Sequence, residues 1–245
     1  MNQNPSDQPE RVQLILDAAA ELLLRHGYNK TTMSDVADAV GLHRGLVYLH
    51  FPSKDALVEA LIVRELSKYG AMWSAHLEAD PLGGTVASVY RGVLYALKQA
   101  PLMAAIHTRD RGVFGKYLHK PNTIFARLPA TSPTYAVLRA MQEAGAVRQG
   151  SHLKAVAFIL DTLTPAVLET FTSSLRGEQR SDSTPADQPS YDELMETIAE
   201  MLEHILTPAE GANLDAGKTV LRQGLDEARA HFTEEMEHYQ KGNSQ

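Results

Sequence analysis

The stretch from Thr31 to Lys54 constrains the fold of this chain most strongly, because its residues specify two short helices joined by a tight turn. Thr32 is placed to cap the first helix, and Asp35 stands where a capping box has an acidic residue. Gly41 can end that helix, since glycine tolerates a left-handed backbone. A second helix is predicted over about 42–50, where a proline follows and stops it. Two helices with such a turn form a helix-turn-helix, whose second helix enters the major groove of DNA.

Several short motifs in this region agree, in residue type and spacing, with the sequence pattern of one protein family. The matching positions are Gly27-Tyr28, Thr31-Thr32, Val36-Ala37, Gly41, Arg44-Gly45, Tyr48, His50-Phe51 and Ser53-Lys54-Asp55-Ala56-Leu57. Residues 11–57, about a fifth of the chain, thereby resemble the DNA-binding head of the TetR/AcrR family of bacterial transcriptional repressors. The resemblance implies an all-α protein, with an N-terminal three-helix head followed by a larger helical domain for ligand binding and dimerisation.

Helical periodicity continues along the rest of the chain, and no strand-like alternation appears, so the fold class is predicted to be all-α. The predicted helices span 11–26, 32–40, 42–50, 54–79, 85–99, 102–107, 114–119, 122–127, 134–143, 152–175, 190–206 and 213–240. The predicted organisation is a disordered polar tail at 1–10, a helix-turn-helix DNA-binding domain at 11–56, a ligand-binding and dimerisation domain at 57–208, and an additional C-terminal helix and tail at 209–245.

Two late helices, 152–175 and 190–206, carry broad apolar faces. The resemblance implies that these faces pair with their copies in a homodimer, and the alternative is burial within one subunit. The last helix, 213–240, also has an apolar stripe. It either docks on its own subunit or reaches the partner subunit as an arm.

Charge and composition restrict the class of function. The net charge is −7, which argues against a general nucleic-acid binder. Between Arg11 and Ala56, five basic residues meet five acidic ones, so DNA affinity must come from the placement of a few cations. The chain has no cysteine, which excludes disulfides and thiolate sites. The N-terminus is polar and acidic, and no apolar run could span a membrane, so we expect a cytoplasmic protein.

The residues expected to bind DNA lie at the ends of the predicted helices and along the second one. They are Thr32, His43, Arg44, Gly45, Leu46, Tyr48, Leu49, His50 and Lys54. Arg44 begins the second helix and can read guanine through its two-pronged donor pattern, or contact a phosphate. The resemblance implies phosphate contacts for Thr32, Tyr48, His50 and Lys54. Tyr48 could instead pack in the core, and His50 could cap its own helix.

Three positions depart from the family pattern. Leu46 and Leu49 stand where relatives often have polar or aromatic side chains, and neither can hydrogen-bond a base. Both could contact thymine methyl groups or pack inward. His43 replaces the usual Ser or Thr, which leaves its capping role open.

By resemblance, the C-terminal helices enclose a pocket for a small effector. Its candidate lining residues, each of which could equally be plain core, are Met72, Trp73, His76, Tyr90, Tyr95, Met103, His107, Phe114, Tyr117 and Phe158. Aromatic and methionine side chains beside a few polar tips would suit a partly apolar molecule. The predicted function is a homodimeric repressor that binds a palindromic operator in double-stranded DNA and is released by the effector. An activator, a head that binds protein, and an all-helical enzyme are the alternatives. No catalytic residue, cofactor or metal is expected, because no clustered catalytic motif is present.

Overall fold

The computed structural model describes residues 7–127, 133–175 and 189–242, and within these ranges it contains helices and no β-strand. This confirms the all-α prediction. The helices are α1 (Asp7–Lys30), α2 (Met33–Ala39), α3 (Arg44–His50), α4 (Lys54–Ala79), α5 (Val86–Gln99), α6 (Pro101–Thr108), α7 (Arg111–Phe114), a 3-10 helix (Gly115–His119), α8 (Ile124–Arg127), α9 (Thr134–Glu143), α10 (Leu153–Leu175), α11 (Tyr191–Leu206) and α12 (Leu214–Gly242). None of the helices searched in those ranges is long and apolar enough to cross a membrane.

The start of the chain differs from the sequence prediction. Helix α1 begins at Asp7, so the predicted disordered tail over 1–10 is wrong for residues 7–10. Residues 1–6 lie outside the described ranges. Gly27 has a φ of +73°, which interrupts the helix at the predicted position, and the chain then makes one more helical turn. Only glycine adopts this backbone without steric cost.

Hydrogen bonds confirm the predicted helix starts. The Asp35 amide donates to Thr32 Oγ1 at 3.2 Å, and the Thr32 amide donates to Asp35 Oδ2 at 2.7 Å, which completes the capping box of α2. Ser53 Oγ accepts from the Ala56 amide at 3.1 Å at the start of α4. These caps satisfy amides that a helix leaves without internal partners.

The region after α6 is less regular than predicted. The helix expected over 114–119 is divided, because α7 ends at Phe114 and Gly115 takes a φ of +47° before a 3-10 turn. Asn122 also has a positive φ, of 61°, so α8 begins at Ile124 and not at Asn122.

The described residues form two compact units, and the division differs from the one predicted at residue 57. The first unit contains the residues up to Leu66 together with those from Pro101 to Arg127, and the second contains 67–100 and the remainder. The sequence-based domain at 57–208 therefore does not correspond to one unit. The physical reason is that the segment from α6 to α8, named here the returning segment, packs on α1 and on the first half of α4.

Aromatic rings and a buried carboxylate hold the returning segment in the first unit. The ring centroids of Tyr28 and Tyr117 lie 5.3 Å apart, and Phe114 meets Phe125 edge-on at 4.9 Å. Glu59 of α4 is only 1% exposed and accepts hydrogen bonds from three donors of this segment. These donors are the Tyr117 hydroxyl, the Ile124 amide and the Arg127 guanidinium.

The second unit is built around α5, which packs chiefly on α11 and also on α10. The Tyr191 hydroxyl donates to the Leu94 carbonyl at 2.7 Å, and Lys98 pairs with Asp192 at 2.7 Å. Along the chain, α4 supplies its first residues to the first unit and its later residues to the second.

The beginning of α12 docks on its own chain. Gly217 and Gly84 approach so closely that a Cβ on either glycine would collide with the backbone of the other segment. Lys218 Nζ donates to the Asp80 carbonyl at 3.0 Å, and Arg222 binds Glu78 through two hydrogen bonds. For the first turns of α12, the structure therefore agrees with docking on the same subunit.

Candidate nucleic-acid interface

Helix α3 is positioned by caps at both of its ends. The Gly45 amide donates to Nδ1 of His43 at 3.1 Å, so the histidine takes the capping role that Ser or Thr would otherwise have. At the other end, the Phe51 amide donates to the Val47 carbonyl at 2.9 Å. Gly41 has a φ of +64°, which turns the chain between α2 and α3. The capping role of His43, which the residue type alone left open, is thereby established.

One face of α3 is buried and the other faces solvent. Val47 is fully buried, as are Val36 and Ala37 of the adjoining α2, and this packing fixes the orientation of the helix. Arg44 and Gly45 lie on the open face. The amides at the N-terminus of α3 and its positive dipole end favour an anion or a base acceptor there.

Arg44 and Tyr48 form an exposed pair one helical turn apart. Arg44 Nη2 donates to the Tyr48 hydroxyl at 3.0 Å, and the guanidinium carbon lies 5.2 Å from the centre of the tyrosine ring. Tyr48 is 37% exposed, so it does not take the core position that was its alternative. The pairing restrains the arginine side chain before any ligand binds, which lowers the entropy cost of binding.

The two leucines of α3 differ in their surroundings. Leu49 is 79% exposed, whereas Leu46 is half-buried. His50 is half-buried beside the ring of Phe51, which is itself buried in the core. Leu49 is therefore the apolar side chain of α3 that is most available to a ligand.

Lys54 fastens the start of α4 to the connection between α1 and α2. Its Nζ donates to the carbonyl of Tyr28 at 2.6 Å and to that of Thr31 at 2.8 Å. Burial and then the nearby charge of Lys116 lower the pKa of Lys54 from its ordinary value. Thr32, at the N-terminus of α2, is exposed and directly follows Thr31, whose carbonyl binds Lys54.

Sequence reasoning missed the role of the returning segment beside this interface. Lys120 Nζ donates to Asp55 Oδ2 at 2.6 Å and to the Tyr28 hydroxyl at 2.9 Å, and the same hydroxyl donates to Asp55. Burial alone would raise the pKa of Asp55, but the hydrogen bonds from Lys120 and Tyr28 outweigh it and hold that pKa below its usual value. The only sequence signal was an excess of basic residues over 109–127.

The ten residues expected to line one effector pocket are divided between the two units. Met103, His107, Phe114 and Tyr117 belong to the first unit, and Met72, Trp73, His76, Tyr90, Tyr95 and Phe158 belong to the second. Phe114 and Tyr117 are completely buried in the aromatic cluster of the first unit and have no surface left for a ligand. Phe158 is 72% exposed, so it lines no enclosed cavity in one chain. These three assignments are therefore corrected.

In the second unit, two polar atoms near α5 are buried without a partner. Among the described residues, neither Trp73 Nε1 nor His76 Nε2 makes a hydrogen bond. The imidazole stacks on Tyr95 with centroids 6.5 Å apart and lies 3.9 Å from an Asp80 oxygen, which is too far for a hydrogen bond. Buried polar groups normally have a hydrogen-bond partner, which makes these two nitrogens unusual among the described residues.

The ranges that the structure describes contain no group of three or more His, Asp or Glu residues placed to bind a metal ion. The chemistry available at α3 consists instead of hydrogen-bond donors, one exposed guanidinium and an apolar contact. Such a surface recognises phosphates and base edges.

Comparison with known proteins finds one family at the N-terminus of the chain. Residues 15–61 match the family model for bacterial regulatory proteins of the tetR family. The chain is 26% identical over 182 residues to a probable acrEF/envCD operon repressor of Escherichia coli K12, covering 71% of this chain and 81% of that protein. It is 38% identical over 79 residues to the transcriptional regulator TtgR of Pseudomonas putida, covering 31% of this chain and 37% of TtgR.

Solved structures share the fold over most of the chain. A putative TetR-family transcriptional regulator from Rhodococcus sp. superposes with a TM-score of 0.55 at 20% identity, covering 80% of this chain and 98% of that one. The regulator FadR of Bacillus subtilis, solved in complex with stearoyl-CoA, gives 0.53 at 14% identity, covering 78% and 96%. Residues 15–61 thus carry the tetR-family DNA-binding domain, in a chain that has the fold of TetR-family regulators, and these matches agree with a ligand-responsive, DNA-binding transcriptional regulator.

Proposed function

We propose that this protein is a homodimeric repressor, which binds a palindromic operator through α3 and is released from it by a small, partly apolar effector. The observation that carries the proposal is the open face of α3. It presents Arg44, Tyr48 and Leu49 to solvent beside a backbone free of side-chain bulk at Gly45. The protein would act in the cytoplasm, where its operator is, and no catalytic step belongs to the proposal.

Arg44 is proposed to read guanine, since its guanidinium is exposed at the start of α3 and can offer two parallel donors. Leu49 supplies an exposed apolar surface at the same face, which fits the methyl group of thymine. Thr32, His50 and Lys54 would contact phosphates, which position the head and carry no sequence information.

The proposed homodimer is supported by apolar side chains that one chain leaves exposed. They lie on α10 and α11 and are Phe158, Ile159, Leu163, Met201 and Ile205, with exposed fractions between 38% and 72%. Clustered large apolar residues on a surface mark an interaction site. A two-fold dimer buries the same face of both copies, and its two heads then read a palindrome.

The effector is proposed to bind in the second unit beside Trp73 and His76. The absence of hydrogen bonds to these two nitrogens among the described residues favours a ligand that presents an acceptor oxygen to the indole N–H. Tyr90 and Tyr95 lie on the neighbouring helix α5, which supplies apolar surface for the rest of the molecule. A ligand that binds better to the DNA-free arrangement lowers the affinity of the protein for DNA. DNA lowers the affinity for that ligand by the same factor.

Selection of duplexes from a randomised pool is expected to recover a palindrome, with half-site centres about one helical turn apart, on the order of 34–36 Å. Arg44→Ala should weaken binding to this selected duplex by roughly 5- to 150-fold for each half-site, the range expected when a bidentate contact to a base is removed. Titration of a fluorescent duplex measures the affinities of the variant and of the unmodified protein.

Arg139→Ala provides the matched control, because Arg139 is an exposed arginine of the second unit that pairs with Glu143. It should leave the affinity for the selected duplex and for a scrambled one unchanged. Equal weakening for both duplexes with Arg44→Ala would assign Arg44 to a phosphate. Failure of the unmodified protein to bind any duplex at low salt would reject the proposed function.

Trp73 is the only tryptophan of the chain, so its emission reports directly on the proposed effector site. A ligand that releases the selected duplex is expected to change this emission at the same concentration. Stearoyl-CoA is a suitable first probe, since a regulator of the same fold was solved with it. Trp73→Phe should raise the concentration needed for release about 5- to 10-fold, because the substitution removes one hydrogen-bond donor.

Release of DNA without any change in tryptophan emission would place the effector elsewhere. Tyr135→Phe is a control for the aromatic substitution, since Tyr135 is an exposed aromatic residue of α9. It should leave the concentration needed for release unchanged.

A further inference from the structure

The first unit carries more positive charge than its helix-turn-helix does. Residues 11–56 are balanced, with five basic and five acidic residues. The returning segment adds five basic residues and one acidic residue between 101 and 127. Two of the five, Lys120 and Arg127, are paired with carboxylates of α4. The added charge that is left to solvent is therefore on the other basic residues of the segment.

The segment brings this charge alongside the connection that leads into α2. The Gly112 carbonyl is packed directly against Gly27, and the amide of Lys116 donates to Asn29 Oδ1 at 3.4 Å. Lys120 then reaches the Tyr28 hydroxyl. The 3-10 helix thus lies alongside residues 27–30. These residues lead directly into Thr31 and the N-terminus of α2.

Lys116 lies near Lys54 at this edge, and Lys30 comes one residue before the Thr31 carbonyl that Lys54 binds. Lys116 and Lys30 are exposed, and within the described ranges neither has an acidic partner. Lys116 is also close enough to Lys54 for its charge to contribute to the lowered pKa of that side chain. Asp55 and Asp35 offset part of the repulsion among these cations, and a bound phosphate would offset more of it.

We propose that Lys116, together with Lys30 and Lys54, forms a second phosphate-binding surface of the head, which contacts the backbone of the same duplex that α3 enters. This inference rests on the proposed function, because it assumes that α3 lies on DNA. A segment outside the helix-turn-helix then supplies positive charge that neutralises phosphates and that the helix-turn-helix itself lacks. Phosphate contacts of this kind strengthen binding to every sequence alike.

The test is the salt dependence of DNA binding by the full chain. Affinities are measured over a series of KCl concentrations, with the selected duplex and with a scrambled duplex of equal length and composition. Lys116→Gln is expected to reduce the slope of log K against log salt by about 0.9 for each phosphate that is no longer neutralised, or about 1.8 for a dimer. The affinity for the two duplexes should fall by the same factor, and Lys116→Arg should restore both slope and affinity.

Lys154→Gln is the matched control, since Lys154 is an exposed lysine of the second unit and the change in net charge is identical. A slope for Lys116→Gln equal to that of this control would overturn the inference. If Arg44→Ala still weakened binding to the selected duplex more than binding to the scrambled one in that case, the proposed function would stand. Because the Lys116 side chain is exposed, thermal unfolding of Lys116→Gln should match that of the unmodified chain, which distinguishes a change in DNA binding from a change in folding.

Discussion

Arg127→Met is expected to lower the free energy of unfolding of the first unit by about 3–5 kcal/mol, the range found when one partner of a buried ion pair is removed. Glu59 is 1% exposed, and its carboxylate would be left without the guanidinium that neutralises it. The Tyr117 hydroxyl and the Ile124 amide, at 3.2 Å, would remain as its donors. Denaturant titration gives the free energy, and hydrogen exchange of α4 and α8 locates the destabilised region.

The double variant Glu59→Gln with Arg127→Met should recover most of this stability, because a neutral amide removes the buried charge and its oxygen still accepts from the Tyr117 hydroxyl and the Ile124 amide. Arg139→Met removes an arginine from an exposed pair and should leave the stability close to that of the unmodified protein. The role given to Glu59 would be disproved if Arg127→Met were no more destabilising than Arg139→Met.

Two glycines of α12 should respond to alanine with opposite signs. Gly217→Ala is expected to destabilise the second unit by about 1–3 kcal/mol, because its Cβ would meet the backbone of Gly84, with the carbonyl carbon at 3.0 Å. Gly224→Ala should stabilise the helix by about 0.5–1 kcal/mol, since no atom lies within 4 Å of its Cβ and alanine is the better helix former. Both values follow from denaturant titrations.

The opposite signs distinguish docking on the same chain from an arm that reaches a partner. A destabilising effect of Gly217→Ala that did not depend on protein concentration would agree with docking on the same chain. A destabilising Gly224→Ala would show that α12 is packed against something near Gly224 that one chain does not provide. Both substitutions change one helix by one methyl group, so each serves as the reference for the other.

The sequence predicted the elements that depend on neighbouring residues. Thr32 with Asp35 marked the start of α2, Ser53 marked α4, and the left-handed Gly41 marked the turn. The bounds of α9 and the extent of α4 were also predicted from local periodicity. Such signals act over a few residues, and the structure retains them because no long-range contact opposes them.

The return of the segment to the head could not be predicted in the same way. Glu59 and Asp55 looked like ordinary acids in the first turns of a helix, and Arg127 and Lys120 like ordinary surface cations. Their pairing joins residues 65 or more positions apart, which no local pattern specifies. Phe114 and Tyr117 were assigned to a ligand for the same reason, since an aromatic residue in a sequence does not reveal which core it joins.

The DNA contacts of the α3 residues remain predictions, although the structure shows which of these side chains are exposed to solvent. His43 could be resolved because its Nδ1 has a definite donor in the Gly45 amide. Leu46 and Leu49 could not be separated by type, since both are leucines three positions apart. Their exposure differs because the buried side chain of Val47 packs α3 against α2 and so fixes which face of α3 is exposed.

The first unit is assembled from two stretches of chain that are separated by residues 67–100. During translation the ribosome therefore releases the helix-turn-helix well before the aromatic residues that cover its inner surface. Until residues near 127 have emerged, the ring of Tyr28 lacks its contact with Tyr117, and the carboxylate of Glu59 has no counter-ion. An N-terminal fragment that stopped at Leu66 would lack both the Tyr117 ring and the Arg127 guanidinium, so we expect the helix-turn-helix and the returning segment to fold as one unit.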